Sequence, residues 1–363
     1  MEIILSDSYG PAELETRWRD LARRADSGFF LSWRWIGTWL RVTGAKPLLA
    51  AAVRQGETVG LGLLTPARKH RHFLSVAQLC LHETGLPAFD GVMIEHNNFL
   101  VARDAPPGLV TEIFRALRSG GPDWDEIALG GVSPAVIAAA EAAGLHVEID
   151  RHSPDFAVDL AAPARWEDML SPNQRAQLRQ SRSFAERLGP LELTPAADGG
   201  QALEFFEQMA ALHTATWQAR NKPGAFAGEF SGRFHHELIT APAAGDDARV
   251  ELLRLTAGSE VLGYLYNFEQ GGVVHNYQSG FSYGQDNRHR PGLIAHAMAI
   301  ARAQERGLRL YDFLAGEARY KARLGQAKGS MIWGRAQKNR PLLRGERAAR
   351  RLVQGLRAVR RRD

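Results

Sequence analysis

The residues best suited to chemistry in this chain lie between Arg249 and Gly325. In the apolar run Val273–Phe281, strand alternation sets His275, Tyr277 and Ser279 on one side and Asn276 and Gln278 on the other. His275 can exchange a proton near neutral pH with little tuning, although a single histidine in an apolar strand is commonly a hydrogen-bonded core residue. Asp312 stands between Tyr311 and Phe313, where a carboxylate must be paired or functional because burying it alone is costly. An ion pair with Lys321 or an arginine would satisfy it without catalysis. Tyr320 offers a hydroxyl proton, and Lys321 a charge able to neutralise a phosphate or orient Asp312. His213, one helical turn from Trp217, and Glu317 are reserve bases. Arg288, His289 and Arg290 precede a helix start at Pro291-Gly292-Leu293. Free N–H groups and the positive dipole end there suit an anion such as a pyrophosphate, the plainer reading being a solvated loop.

These residues need a frame, and the pattern around them supplies one. Alternating runs Val250–Thr256 and Val261–Phe268 flank Ala257-Gly258-Ser259, a hairpin signature. The strand 273–281 follows, then a polar loop from Ser282 to Arg290. A helix with Pro in its first turn runs to Glu305 and stops at Gly307. Leu308–Leu314 reads as the next strand. Upstream, Asn173–Leu188 is a helix with Arg175, Arg179 and Arg182 on one face, and Leu203–Trp217 is another.

In order and spacing, Ser171-Pro172-Asn173-Gln174-Arg175 through Gly189, Leu212-His213…Trp217, Pro291-Gly292-Leu293, Tyr311-Asp312-Phe313…Gly316 and Tyr320-Lys321…Gly325 resemble the acyl-CoA-binding half of the GNAT acyltransferase superfamily. More closely, they resemble the cellulose-biosynthesis-associated acetyltransferases (CelD/BcsL type), relatives of the FemAB peptide-bridge transferases. The likeness spans roughly residues 155 to 335 and departs from the family at Arg288-His289-Arg290, where a small residue commonly precedes the Pro. It implies acyl transfer from a CoA thioester to an amine, with acyl-CoA as co-substrate and no permanently bound cofactor. Such transfer needs a base for the amine proton, donors on the carbonyl, and an acid for the departing thiolate. The resemblance raises His275, Tyr277, Asp312, Tyr320, Lys321 and His213 as catalytic candidates, and Arg288, Arg290, Gly292 and Leu293 as the cofactor-binding set. It also places the arginine helix beside an anionic ligand. The expected architecture is α/β, with two tandem GNAT-like domains.

The first half repeats the pattern without its polar residues. Helices Trp18–Arg24 and Trp33–Arg41 precede a hairpin, Leu48–Val53 and Val59–Thr65. Pro107-Gly108-Leu109-Val110 parallels Pro291-Gly292-Leu293-Ile294, and Ile127-Ala128-Leu129-Gly130 parallels Phe313-Leu314-Ala315-Gly316. We read an internal duplication in which residues 1–160 form a degenerate domain and 161–337 the catalytic one. Pro134–Ala143 is a further helix, and His146–Ile149 with Phe156–Leu160 reads as a strand pair across a turn at 151–155. Ala161–Ala164 is the linker candidate.

The totals narrow the function. Apolar residues at 45% and charged residues at 23% are globular values. The single cysteine, Cys80, excludes an internal disulfide and reads as a buried small hydrophobe, and no Cys/His spacing suggests a metal site. No signal peptide or membrane-spanning run is expected, which points to a cytoplasmic protein or one peripheral to the cell membrane. The formal +5 charge is uneven: residues 338–363 carry +8 and the remainder −3. A general nucleic-acid surface is therefore a poor expectation, and a charged-tRNA donor is disfavoured with it. Arg344–Arg362 has the spacing of a basic amphipathic helix, suited to an anionic membrane or to packing on the body. With a membrane, a long-chain (sphingoid-type) lipid amine is the expected acceptor. A polysaccharide or small amine, an aminoacyl group from tRNA, or a non-catalytic scaffold are the alternatives.

Overall fold

The computed structural model describes residues 1–71, 74–161, 165–242 and 247–359, with side chains as far as residue 350. The first half runs β1 (Glu2–Ser6), α1 (Pro11–Arg23), α2 (Trp33–Thr43), β2 (Leu48–Arg54), β3 (Glu57–Arg71), β4 (Leu74–Leu81), a one-turn α3 (Pro87–Asp90) and a short β5 (Leu100–Val101). It continues with α4 (Leu109–Ser119), β6 (Glu126–Val132), α5 (Pro134–Ala142) and β7 (His146–Asp159). The second half runs α6 (Pro172–Ala185), β8 (Leu191–Pro195), α7 (Gly199–Gln218), α8 (Glu229–Thr240), β9 (Arg249–Ala257), β10 (Glu260–Gln270) and β11 (Val273–Phe281). Then come α9 (Pro291–Glu305), β12 (Leu310–Ala315), α10 (Arg319–Leu324), β13 (Gln326–Gln337) and α11 (Pro341–Val359).

The two halves share a plan. In each, an antiparallel hairpin leads to a strand that pairs parallel with the strand after the next long helix: β4 with β6, and β11 with β12. Local chemistry agrees with this order. Ser32 accepts the N–H of Trp35 at the start of α2, which ends at Gly44 with φ 64°. Ser171 and Gln174 form a reciprocal capping box on α6.

The halves nonetheless build one sheet, ordered β1-β2-β3-β4-β6-β13-β7-β12-β11-β10-β9-β8. The last strand of each half crosses over: β7 pairs with β12, and β13 sits between β6 and β7. The expected strand pair at 146–160 is instead this one long strand. Pro154 is tolerated within it because β12 pairs with β7 only from Asp155 onward, so the missing N–H falls where that side has no ladder. Of the linker candidate, residues 162–164 lie outside the described residues.

An aromatic cluster joins the halves. Phe29 stacks on Phe268 with ring centroids 4.3 Å apart, and Phe30 and Trp35 meet Phe268 and Tyr277 edge-on or tilted. One apolar core runs through both, and a second lies under α6 and α9. Cys80 is buried as expected. Among the described residues no helix is long and apolar enough to cross a membrane.

Candidate functional site

The central strands part where the chemistry gathers. β11 and β12 pair in parallel over three positions only, Val273 with Leu310, Val274 with Tyr311 and His275 with Asp312. Beyond these, the facing edges have no ladder partners. A bulge at Tyr277, where Tyr266 faces Gln278 while Asn267 faces Asn276, breaks the alternation of β11. Ser279 therefore does not share the side of His275 and Tyr277; it joins Phe281 on the α9 side. That corrects the alternation read from the sequence.

On the α9 side the parted strands border a groove of about 300 Å³. Gln174 and Gln177 of α6, Phe281, Arg290, Leu293 and Tyr320 line it, together with the N-terminal turn of α9. Arg290 donates from Nε to the Asn287 carbonyl (2.7 Å) and from Nη1 to Gln177 Oε1 (3.1 Å), so its charge is held at the mouth. Arg288 is turned away: it pairs with Asp286 and lies over the Phe184 ring. The Tyr320 ring stacks on His296 at 5.0 Å and 13°, and the His296 Nδ1 lies 3.2 Å from the Tyr311 hydroxyl. Burial holds the Tyr320 phenol well above its ordinary value and pushes His296 down to about 3. Tyr320 thus keeps its proton and His296 stays neutral. The arginine face predicted on α6 does not line this groove. Arg175 donates to the Leu170 carbonyl (2.7 Å) and Arg182 to Glu167 (2.9 Å), closing the 166–170 turn.

The opposite side of the sheet opens into a larger cavity, about 1120 Å³, between the two halves. His96, His275 and Asp312 meet at its floor. His96 Nε2 lies 2.9 Å from Asp312 Oδ2, and His275 Nδ1 is 3.5 Å from the same oxygen. Asp312 Oδ1 accepts the N–H of Leu314 (2.7 Å). Burial opposes the Asp312 charge, but the two imidazoles facing it hold it far below the carboxylate range. Burial lowers His275; for His96 burial acts the same way, but Asp312 outweighs it and raises the group. Both ring nitrogens of His275 are buried without a hydrogen-bond partner. The three side chains bring possible metal-ligand atoms within 4.8 Å of one another, a cluster that no sequence spacing announced.

The other candidates divide by their partners. Lys321 is buried and donates to the carbonyls of Phe313 (2.6 Å) and Ala315 (2.5 Å), closing the end of β12. Burial lowers its pKa, while Glu95 and Asp312 act to raise it. These bonds tie it to the strand that carries Asp312. His213 has one ring nitrogen 3.1 Å from the Ser279 carbonyl, and the other accepts from the Ala225 N–H (3.3 Å), leaving neither for a substrate. Tyr277 is buried in the aromatic cluster, and Glu317 is exposed. Sequence reasoning missed His96. It sits in a loop of the first half, far in sequence from Asp312, and no local pattern marks it.

Comparison with known proteins agrees with this architecture. Residues 172–322 match the family model described as acetyltransferase (GNAT) domain. No curated protein sequence is similar enough to give a significant match. Among solved structures, FemX superposes with a TM-score of 0.57 at 13% identity, covering 95% of this chain and 99% of that one. The C-terminal domain of a putative lysylphosphatidylglycerol synthetase from Agrobacterium fabrum gives 0.54 at 14% identity, covering 91% and 93%. L-PGS from Bacillus licheniformis gives 0.53 at 12% identity, covering 93% and 96%. At such identities the likeness is one of fold: mixed α/β, with two tandem GNAT-like halves, as the sequence predicted.

Proposed function

We propose that this protein is an acyl-CoA-dependent N-acyltransferase, with the α9-side groove holding the thioester and a primary amine as acceptor. One observation carries the reading: β11 and β12 part after three pairs, beside the N-terminus of α9 and the Tyr320 hydroxyl. Parted strands expose backbone donors and acceptors to an extended pantetheine-like arm. The helix N-terminus with Arg290 favours the phosphates. Once the amine attacks the thioester carbon, the C–S bond breaks and the thiolate takes a proton. Tyr320, kept protonated by burial, is the donor. Gly292 and Leu293 form the groove wall, and Arg288 serves the fold of its loop rather than the donor.

The acceptor we favour is a long-chain lipid amine, which membrane contact through the basic tail would suit. Release of free thiol from acetyl-CoA and hexadecanoyl-CoA, measured with a series of primary amines from octylamine to sphinganine, tests both parts. Amine-dependent release that falls by about 10² in Tyr320→Phe supports the assignment. Thiol release that is indifferent to both the amine and Tyr320 contradicts it.

A further inference from the structure

The cavity opposite the donor groove contains a pairing that joins the two halves of the chain, and its backbone is strained on both sides. His96 has φ 48° and Leu314 has φ 61°, left-handed values that cost a side-chain-bearing residue about 1 kcal/mol or more. Such strain persists only where the surroundings impose it. Around His96 they do: the next residue, Asn97, is buried and donates to the carbonyls of Leu81 (2.9 Å) and Gly130 (3.1 Å). Its Oδ1 lies 2.8 Å from His82 Nδ1. On the other side, Leu314 turns its N–H onto Asp312 Oδ1. The first half thus holds out an imidazole, and the second half holds a carboxylate to receive it.

Resting on the acyl-transfer reading above, we propose that His96 is the proton acceptor for the attacking amine, which enters through the 1120 Å³ cavity. Asp312 fixes its tautomer, and His275 is a positioning residue. The dyad has the polarity this requires. With Asp312 on Nε2, the His96 Nε2 carries the hydrogen and Nδ1 keeps the lone pair, and the residue lines the cavity. His96 is the one member of the cluster with substantial exposure, its side chain at 29% against 5% for His275 and 1% for Asp312. β12 divides the two cavities: Tyr311 and Phe313 face the donor side, whereas Asp312 and Leu314 face the acceptor side. Donor and acceptor then meet at the parting of β11 and β12 from opposite faces of the sheet. The amine nitrogen bonds to the thioester carbon, its proton passes to His96 Nδ1, and the sulfur leaves with the proton of Tyr320.

Arg309 and Lys328 line the cavity together with Asp26 and Asp247, so its wall carries both signs of charge. The groups acting on His96 are Asp312, Glu95 and Asp155, and His275 and Lys328 complete the charged surroundings.

Two readouts test the assignment. The first needs no substrate: NMR of protein labelled with nitrogen-15 in its imidazoles should show neutral His96 as the Nε2–H tautomer, a preference lost in Asp312→Asn. An Nδ1–H tautomer overturns the proposal whatever the donor proves to be. The second uses acetyl-CoA with octylamine. His96→Gln should lower thiol release by about 10² while CoA affinity stays within twofold, and the rise in rate with pH should disappear. His275→Asn should alter the apparent pKa of that profile and change the rate less. Turnover of His96→Gln within twofold of wild type overturns the proposal. So does stoichiometric Zn²⁺ binding that is lost in both histidine variants, which would make the cluster a metal centre.

Discussion

At the level of single residues, Asp312 and Tyr320 were legible because each is out of place by ordinary rules. A carboxylate inside an apolar strand and a Tyr-Lys pair just past its end both ask for a partner. Their partners were not legible, since they come from elsewhere in the chain. Asp312 finds His96 across 216 residues of sequence. Lys321 suits a phosphate ligand or an orienter by sequence alone, and in the fold its ammonium donates to the carbonyls of Phe313 and Ala315. Lys321→Met should therefore destabilise the fold by about 2 kcal/mol in urea denaturation, because it leaves buried carbonyls without a charged donor. Activity should fall with stability, and the CoA affinity of the folded fraction should hold. A variant as stable as wild type would mean those carbonyls find other partners.

Among the elements, the hairpins and the long helices followed from periodicity, whereas β7 did not. A proline within a strand reads as a turn until a crossing partner holds the chain extended. The C-terminal helix was expected as an amphipathic element free for a membrane or packed on the body. Its first turns are docked. Leu343 is buried, and Glu346 is gripped by Arg71 (2.8 Å), which also holds Glu126 at the start of β6. Burial disfavours the Glu346 charge, but Arg71 and Arg350 outweigh it and hold the carboxyl down at about 2. A carboxyl depressed in the folded state adds stability that is complete above its unfolded value of about 4.3 and is lost as pH falls toward 2. Glu346→Gln should flatten the acid limb of a stability–pH curve in that window and lower stability at pH 7 by about 2 kcal/mol. An unchanged acid limb would remove this contact from the account. Membrane contact, which we keep as a proposal, then falls to the stretch beyond residue 350. Co-sedimentation with anionic vesicles should be lost on truncation at 351, and binding that ignores truncation would leave the helix a packing element.

For the whole molecule, duplication was legible as three ordered matches, but the exchange of β7 and β13 between the halves was not, because it depends on pairing rather than on local pattern. Each half lends the other a strand, and the aromatic cluster around Phe268 belongs to both. Fragments 1–160 and 161–363 should therefore be poorly folded alone and associate when co-expressed, as judged by size-exclusion chromatography and circular dichroism. Two independently folded monomers would contradict a shared core. The same arrangement gives the molecule an α9-side groove in the second half and a histidine–aspartate pair shared by both halves, and the identity of the donor decides whether that geometry is used as proposed. Isothermal titration calorimetry with CoA measures it most directly. Saturable one-to-one binding is expected, weakening at least about tenfold in Leu293→Trp, which fills the groove, and unchanged in Asp104→Ala, the first-half position that matches Arg288 when Pro107 is set against Pro291. Absence of CoA binding, or binding that Leu293→Trp leaves intact, would contradict the assignment of this groove to acyl-CoA.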